Sequence, residues 1–233
     1  LDTANKEVWV VVRCFNEASV VGQVIAGLRE VFPNVVGVDD GSTDRSSEVM
    51  REAGALVVRH AINLGAGAAL QTGLDFALLD PQATHFLCFD ADGQHQLADA
   101  VAMIDRLRQG AVDILIGSRF LGQANGMPAF RRAVLRTARL FERVVSGVAL
   151  TDAHNGIRAF NRRFAEQLDL RISDMAYASE LLNQIARSGL RYAEHPVTIE
   201  YTPYSVSKGQ RSINSVNIAV DVIVNTLSGR NRS

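Results

Sequence analysis

A chain of 233 residues, 47% hydrophobic and 21% charged, has the composition of an ordinary globular protein long enough to bury a full core. Its formal net charge of −1 argues against a general nucleic-acid-binding surface. No apolar run approaches the roughly eighteen residues a membrane span needs, the polar opening 1–7 does not read as a signal peptide, and the two cysteines, Cys14 and Cys88, sit in apolar runs that suit buried thiols in a reducing cytosol.

Val8-Trp9-Val10-Val11-Val12 is a continuous apolar run, as a strand covered on both faces requires. Val20, Val21, Val24, Ile25 and Leu28 then recur at helical spacing. Asn34 to Val38 reads as a second strand ending in Asp39-Asp40-Gly41-Ser42-Thr43-Asp44, where Ser42 or Thr43 can cap the helix that carries Val49 and Met50. Ala55 to Val58 is a third strand, and Asn63-Leu64-Gly65-Ala66-Gly67 turns into a small-residue helix through Leu70, Leu74 and Phe76. Phe86 to Phe89 is a fourth strand, followed by a helix with Leu97, Val101, Ile104 and Leu107 on one face and a fifth strand over 113–117. This alternation predicts an open α/β sheet, mostly parallel, over residues 1–118.

Beyond Gly117 the pattern changes. Residues 120–130 read as a Gly-containing mobile loop and 131–148 as a basic amphipathic helix. A turn and short strand follow over 151–160, then a helix from Tyr177 to Arg187. Arg191 to Tyr201 alternates like a strand, and its Pro196 suits a sheet edge. Residues 205–210 form a polar loop. Ser212 to Leu227 closes the chain as an apolar-striped helix that packs on the core or faces a membrane or a small membrane protein.

Ligands of open α/β sheets bind beyond the carboxyl ends of the strands. Phe15-Asn16-Glu17, Asp39-Asp40 and Asp90-Ala91-Asp92 all fall there, and acidic clusters on one rim repel unless cations or donors sit among them. Asp90-x-Asp92 at a strand end matches the one or two carboxylates by which Mg2+ is held beside substrate phosphates. The competing reading is a strand-to-helix loop with Asp92 as a helix cap.

These residues resemble the family 2 glycosyltransferases of the GT-A fold, and within them the dolichyl-phosphate mannose synthases and bacterial polyprenyl-phosphate sugar transferases. The resemblance rests on Phe15-Asn16-Glu17, Asp39 to Asp44, Asn63-Leu64-Gly65, Asp90 to His95, Gly117-Ser118-Arg119-Phe120, Asn155-Gly156-x-Arg158 and Ser207-Lys208-Gly209, in that order along the chain. It implies a nucleoside-diphosphate sugar donor, with Phe15, Glu17 and Asp39 or Asp40 lining the base and ribose pocket and further donor contacts at Asn63, Gly65, Asp90 and Ala91. It implies Mg2+ or Mn2+ at Asp90, Asp92 and Gln94, and a diphosphate contact from Lys208. Arg119 and Arg131 match the arginines that hold an acceptor phosphate in that branch. Family members often have Pro where this chain has Arg13, which leaves the nucleobase open.

The resulting expectation is an inverting, metal-dependent transfer of a hexose to a polyprenyl phosphate, carried by Asp92, Arg119 and Arg131. A saccharide hydroxyl as acceptor would need a general base, for which Glu180 is the candidate. A non-catalytic nucleotide-sugar-binding subunit is the alternative of another class. A nucleotidyltransferase would want a Gly-rich phosphate loop after the first strand, and 13–17 contains no glycine. The expected organisation is a glycosyltransferase domain over 1–211, divided into a donor half (1–118) and an acceptor half (119–211), with a terminal helix and tail over 212–233. The expected location is the cytoplasm, with docking on the cytoplasmic face of the membrane as a variant.

Overall fold

The computed structural model describes residues 5–127, 132, 135, 148–172, 177–202, 204 and 205. The chain divides into two compact units, Leu1–Glu200 and Tyr201–Ser233. In the second, Thr202 N–H donates to Ser205 Oγ at 3.0 Å and Ser205 N–H to Thr202 Oγ1 at 3.1 Å. The helix expected over 212–227, most of that expected over 131–148, and the loop bearing Lys208 lie outside the described residues.

In the first unit, strands β1 (Val8–Cys14), β2 (Asn34–Asp39), β3 (Leu56–Arg59) and β4 (His85–Asp90) alternate with helices α1 (Val21–Val31), α2 (Ser46–Glu52), α3 (Ala66–Leu78) and α4 (Leu97–Arg108). Then come β5 (Ile114–Asn125), β6 (Arg158–Asn161), a short α5 (Arg162–Ala165), α6 (Tyr177–Ser188) and β7 (Tyr192–Glu200). All strands join one seven-stranded sheet in the order β3-β2-β1-β4-β6-β5-β7. β6 alone runs antiparallel to its neighbours, between β4 and β5. The expected mostly parallel α/β sheet is therefore observed, with β7 and its Pro196 at an edge. The direction of winding reverses between β1 and β4, which makes that crevice the switch point of the sheet.

Residues of β1 and β4 are almost wholly buried, as strands covered on both faces must be. Helix α1 presents Val21, Ile25 and Leu28 to the core at helical spacing. Helix α3 lies close on β1 because its inward face is small: a Cβ at Gly73 would strike the Val11 side chain. Cys14 and Cys88 are free and buried, and burial pushes both thiols up to about 12, so they stay protonated as expected. No helix among the described residues is long and apolar enough to cross a membrane.

Two local expectations are corrected. The stretch from Phe120 to Asn125 is strand, because β7 supplies it a parallel partner after an irregularity between Ser118 and Gln123. Neither Ser42 nor Thr43 caps α2. Ser42 Oγ accepts Asn16 N–H at 2.9 Å and Thr43 N–H donates to Asn16 Oδ1 at 2.8 Å, so both tie the β2–α2 loop to the end of β1. The cap position is Arg45, whose side chain makes no capping bond, and Asp44 Oδ1 accepts Ser46 N–H at 2.9 Å just ahead of it.

At the opposite end of the sheet, buried Asp113 joins the last three strands. It accepts Asn161 Nδ2–H at 2.9 Å, Arg191 N–H at 2.9 Å and Arg191 Nε–H at 3.2 Å. Burial raises its pKa, but the bonds from Arg191 and Asn161 outweigh this and hold it below the usual carboxylate value. Its stabilisation is thus present above the unfolded-state value and is lost as pH falls through the lower folded one. Asp113→Asn should cost roughly 1–3 kcal/mol at pH 7. The gap from wild type should narrow as pH falls below about 4, measured by denaturant unfolding across pH.

Candidate active site

The parallel strands deliver the candidate residues to one rim. Phe15 and Glu17 leave β1, Asp39 and Asp40 end β2, Asn63 and Gly65 lie between β3 and α3, and Asp90 to Gln94 leave β4. Phe15 is exposed at the rim rather than packed in the core, whereas Glu17 is buried and its N–H donates to Ser46 Oγ at 2.9 Å.

The two carboxylates after β2 differ in use. Asp39 is fully buried and turned inward, where it accepts Ser42 N–H at 2.9 Å and the Ser47 hydroxyl and lies 3.4 Å from Arg59 Nε. Asp40 holds the loop that follows β3. It accepts Leu64 N–H and Gly65 N–H at 2.8 Å each and pairs with His60 Nδ1 at 2.8 Å, while His60 Nε2 meets Thr72 Oγ1 at 3.0 Å. A carboxylate only accepts, so Nδ1 carries the His60 proton. These contacts leave part of the carboxylate's acceptor capacity for one more donor. Gly65 has φ of 91°, which a side chain would strain.

The segment after β4 is folded tightly on itself. Asp92 Oδ1 accepts Gln94 N–H at 3.1 Å and Oδ2 accepts Gln94 Nε2–H at 2.7 Å. Helix α4 starts only at Leu97, with Gln96 as its cap, so Asp92 is not its cap. Glu200 N–H donates to the Gln94 carbonyl at 3.0 Å and His95 bridges to Ile199, which fastens the segment to the end of β7. Ala91 is buried between the two aspartates.

Asp90 meets Arg13 on Oδ1 and His95 Nε2 at 3.3 Å on Oδ2. Arg13 and Asp90 are register partners on β1 and β4, so their side chains leave the sheet side by side. Burial raises the Asp90 pKa, yet Arg13 and then His95 hold it well below the usual carboxylate range. Burial, and next the Asp90 charge, push Asp92 upward. His95 and the bond from the Gln94 N–H offset this only in part, so Asp92 is the less stabilised of the two carboxylates. Among the described residues no group of three histidine, cysteine, aspartate or glutamate side chains converges to hold an ion. The hard oxygens of Asp90, Asp92 and Gln94 suit Mg2+ or Mn2+, with ligand phosphates completing the coordination.

Tyr177 and Arg158 carried no role in the sequence reading. Arg13 Nη1 donates to Tyr177 Oη at 2.5 Å, and the Arg13 and Arg158 guanidinium carbons lie 5.2 and 5.5 Å from the Tyr177 ring centroid. The sequence signal was the unusual Arg13 at the end of an apolar strand, which needs a buried partner. Arg119 is also buried and pairs with Asp152 at 2.6 Å from Nε, with its N–H donating to the same Oδ2 at 3.0 Å. Asp152 thus serves an ion pair. Glu180 accepts backbone N–H groups of Arg171 and Ile172 at 2.9–3.1 Å and braces that loop. Arg131 and Lys208 lie outside the described residues.

Residues 9–169 match the model of the family described as Glycosyl transferase family 2. The chain is 34% identical over 223 residues to an uncharacterised protein of Methanocaldococcus jannaschii, covering 94% of this chain and 91% of that protein. It is 26% identical over 228 residues to a UDP-N-acetylglucosamine–dolichyl-phosphate N-acetylglucosaminyltransferase of Methanococcus voltae, covering 88% and 90%. The fold is that of glucosyl-3-phosphoglycerate synthase from Mycobacterium tuberculosis, solved with Mn2+, UDP-glucose and phosphoglyceric acid, at a TM-score of 0.66, 17% identity and coverage of 84% of this chain and 72% of that one. The expected GT-A architecture is thereby borne out.

Gly156 closes the site from below: a Cβ there would overlap the Asp90 carboxylate. Gly156→Ala should destabilise by about 1–3 kcal/mol, read as a lower Tm. Gly27→Ala is the control, since a Cβ on that α1 position meets nothing within 4 Å. It should leave Tm unchanged or raise it, because alanine is the better helix former. Equal melting of Gly156→Ala and wild type would contradict the packing described.

Proposed function

The chain belongs to glycosyl transferase family 2, and from that premise we propose that it moves a hexose from a nucleoside-diphosphate sugar to a polyprenyl phosphate with inversion at the anomeric carbon. The observation that carries this reading is the meeting of a braced carboxylate, Asp40, and the Asp90–Gln94 segment on one rim, either side of the switch point. Asp40 has acceptor capacity for a ring N–H of the base, and Phe15 is exposed where a base can stack. The relative from Methanococcus voltae, whose name gives dolichyl phosphate as its acceptor, supports the lipid-phosphate class.

In this reading one oxygen of the acceptor phosphate attacks the anomeric carbon from the face opposite the leaving diphosphate. One C–O bond forms as another breaks, and the nucleoside diphosphate departs with the electron pair. A phosphate monoester is already an anion at neutral pH, so no strong general base is required. That agrees with Glu180 being committed to the 171–172 backbone. The Asp90–Gln94 segment would hold Mg2+ or Mn2+, which when bound would neutralise the departing diphosphate. Lys208 adds charge at the diphosphate, and Arg131 with Arg119 at the acceptor phosphate. The protein's place of action is the membrane surface where its lipid acceptor resides, reached from the cytoplasmic side.

The test is turnover of UDP- and GDP-hexoses onto undecaprenyl or dolichyl phosphate, with product followed by mass spectrometry. Chelation should stop it, and Asp92→Asn should lower kcat about a hundredfold or more. Arg131→Ala should cost about 2 kcal/mol in kcat/KM toward the lipid phosphate while donor binding changes little. Unchanged kinetics for Arg131→Ala would point instead to a saccharide hydroxyl as acceptor.

A further inference from the structure

The Arg13–Asp90 pair sits at the place where a diphosphate-bound cation would need Asp90. Both Asp90 oxygens are engaged, one by Arg13 and the other by His95, and Gly156 lies against the same carboxylate. Arg13 is itself fixed by Tyr177 through a hydrogen bond and ring contact. Its Nε is buried with no hydrogen-bond partner among the described residues, while its two terminal nitrogens go to Tyr177 and Asp90. Among the described residues no arginine or lysine pairs with Asp92 or Gln94: their mutual contacts use the Gln94 Nε2–H and N–H and leave Gln94 Oε1 and further Asp92 lone pairs.

We propose that Arg13 is a positioning residue that keeps Asp90 out of the cation's coordination, so that Asp92 and Gln94 alone meet the ion and it binds tightly only together with a nucleoside diphosphate. The inference rests on reading Asp90–Gln94 as the metal segment. A guanidinium held against Asp90 opposes a second cation on that carboxylate, because each would have to share the same charge. A donor set of one carboxylate and one carboxamide is thin for a hard cation, which then depends on phosphate oxygens. Metal and donor would enter as one unit, and the protein would hold little metal between turnovers.

The experiment measures Mn2+ binding by electron paramagnetic resonance of the free ion, for Mn2+ alone and with UDP or GDP. Wild type should bind Mn2+ alone weakly, and the nucleoside diphosphate that fits should tighten it at least about tenfold. Arg13→Met should tighten binding of Mn2+ alone by about tenfold, a gain that loss of structure does not produce. Arg13→Met/Asp90→Asn removes both charges of the pair, leaves neither uncompensated, and should match wild type within about threefold with nucleotide present. An unchanged Mn2+ affinity in Arg13→Met, with nucleotide-dependent binding intact in wild type, overturns the inference and spares the metal reading. Loss of nucleotide-dependent Mn2+ binding in the double variant makes Asp90 a ligand and also overturns it. If Arg13→Met does not fold by circular dichroism, the double variant decides alone. Absence of Mn2+ binding in wild type with every nucleotide tried overturns the metal reading and the inference together.

Discussion

The register of β1 against β4 sets Arg13 beside Asp90 at the switch point of the sheet, and the architecture of the site follows from that adjacency. Two charges withdrawn from water each cost several kcal/mol unless their partners are well placed. The surrounding elements answer that requirement. Helix α6 supplies Tyr177, His95 turns its ring toward Asp90 while packing edge-on against Phe89 at 5.3 Å, and the loop before β6 offers a glycine where any side chain would collide. Residues distant in sequence are thus bound to one ion pair. The order of strands β4-β6-β5 brings the 152–158 loop within reach of it.

The acidic rim resolves its own repulsion by division of labour. Asp39, Asp40 and Asp152 are turned to the protein, each accepting from loop backbone or a buried cation. Their bonds fix the loops after β2 and β3 and the turn before β6 before any ligand arrives. Preorganisation of this kind lowers the ordering cost of binding and holds donors where charge will develop. Asp92 is the exception, with its charge pushed against burial and against Asp90. Both its oxygens accept from Gln94, a neutral partner that leaves the carboxylate without a counter-charge in contact among the described residues.

Much of this was legible from residue order. Alternating apolar runs and helical spacings gave the parallel core, and polar clusters at strand ends gave the rim. The continuation of β5 through Phe120–Asn125 was not legible, because a Gly-containing polar stretch becomes strand only when a distant segment, here β7, offers its edge. Nor could residue order assign Asp39 and Asp40 different duties. Both follow β2, and only the packing of Ser47 against one and of the Leu64–Gly65 backbone against the other separates them. Arg13 was visible as a departure from its family, but its partner lies 77 residues away and is defined by strand pairing.

Arg119 shows how an arginine can be buried at a sheet rim with its charge fully paired. Its side chain is 6% exposed and that of Asp152 is 1% exposed, so the pair is dry. Asp152 also takes Asn155 Nδ2–H at 3.3 Å, and Glu194 braces the turn by accepting the N–H groups of Thr151 and Asp152 at 2.8 and 3.0 Å. The guanidinium is gripped through Nε, and one of its terminal nitrogens donates to the His154 carbonyl at 3.3 Å. Charge balance is the same at both arginines. Arg13 and Arg119 each carry an aspartate that compensates them, so neither adds a surplus of positive charge to the rim.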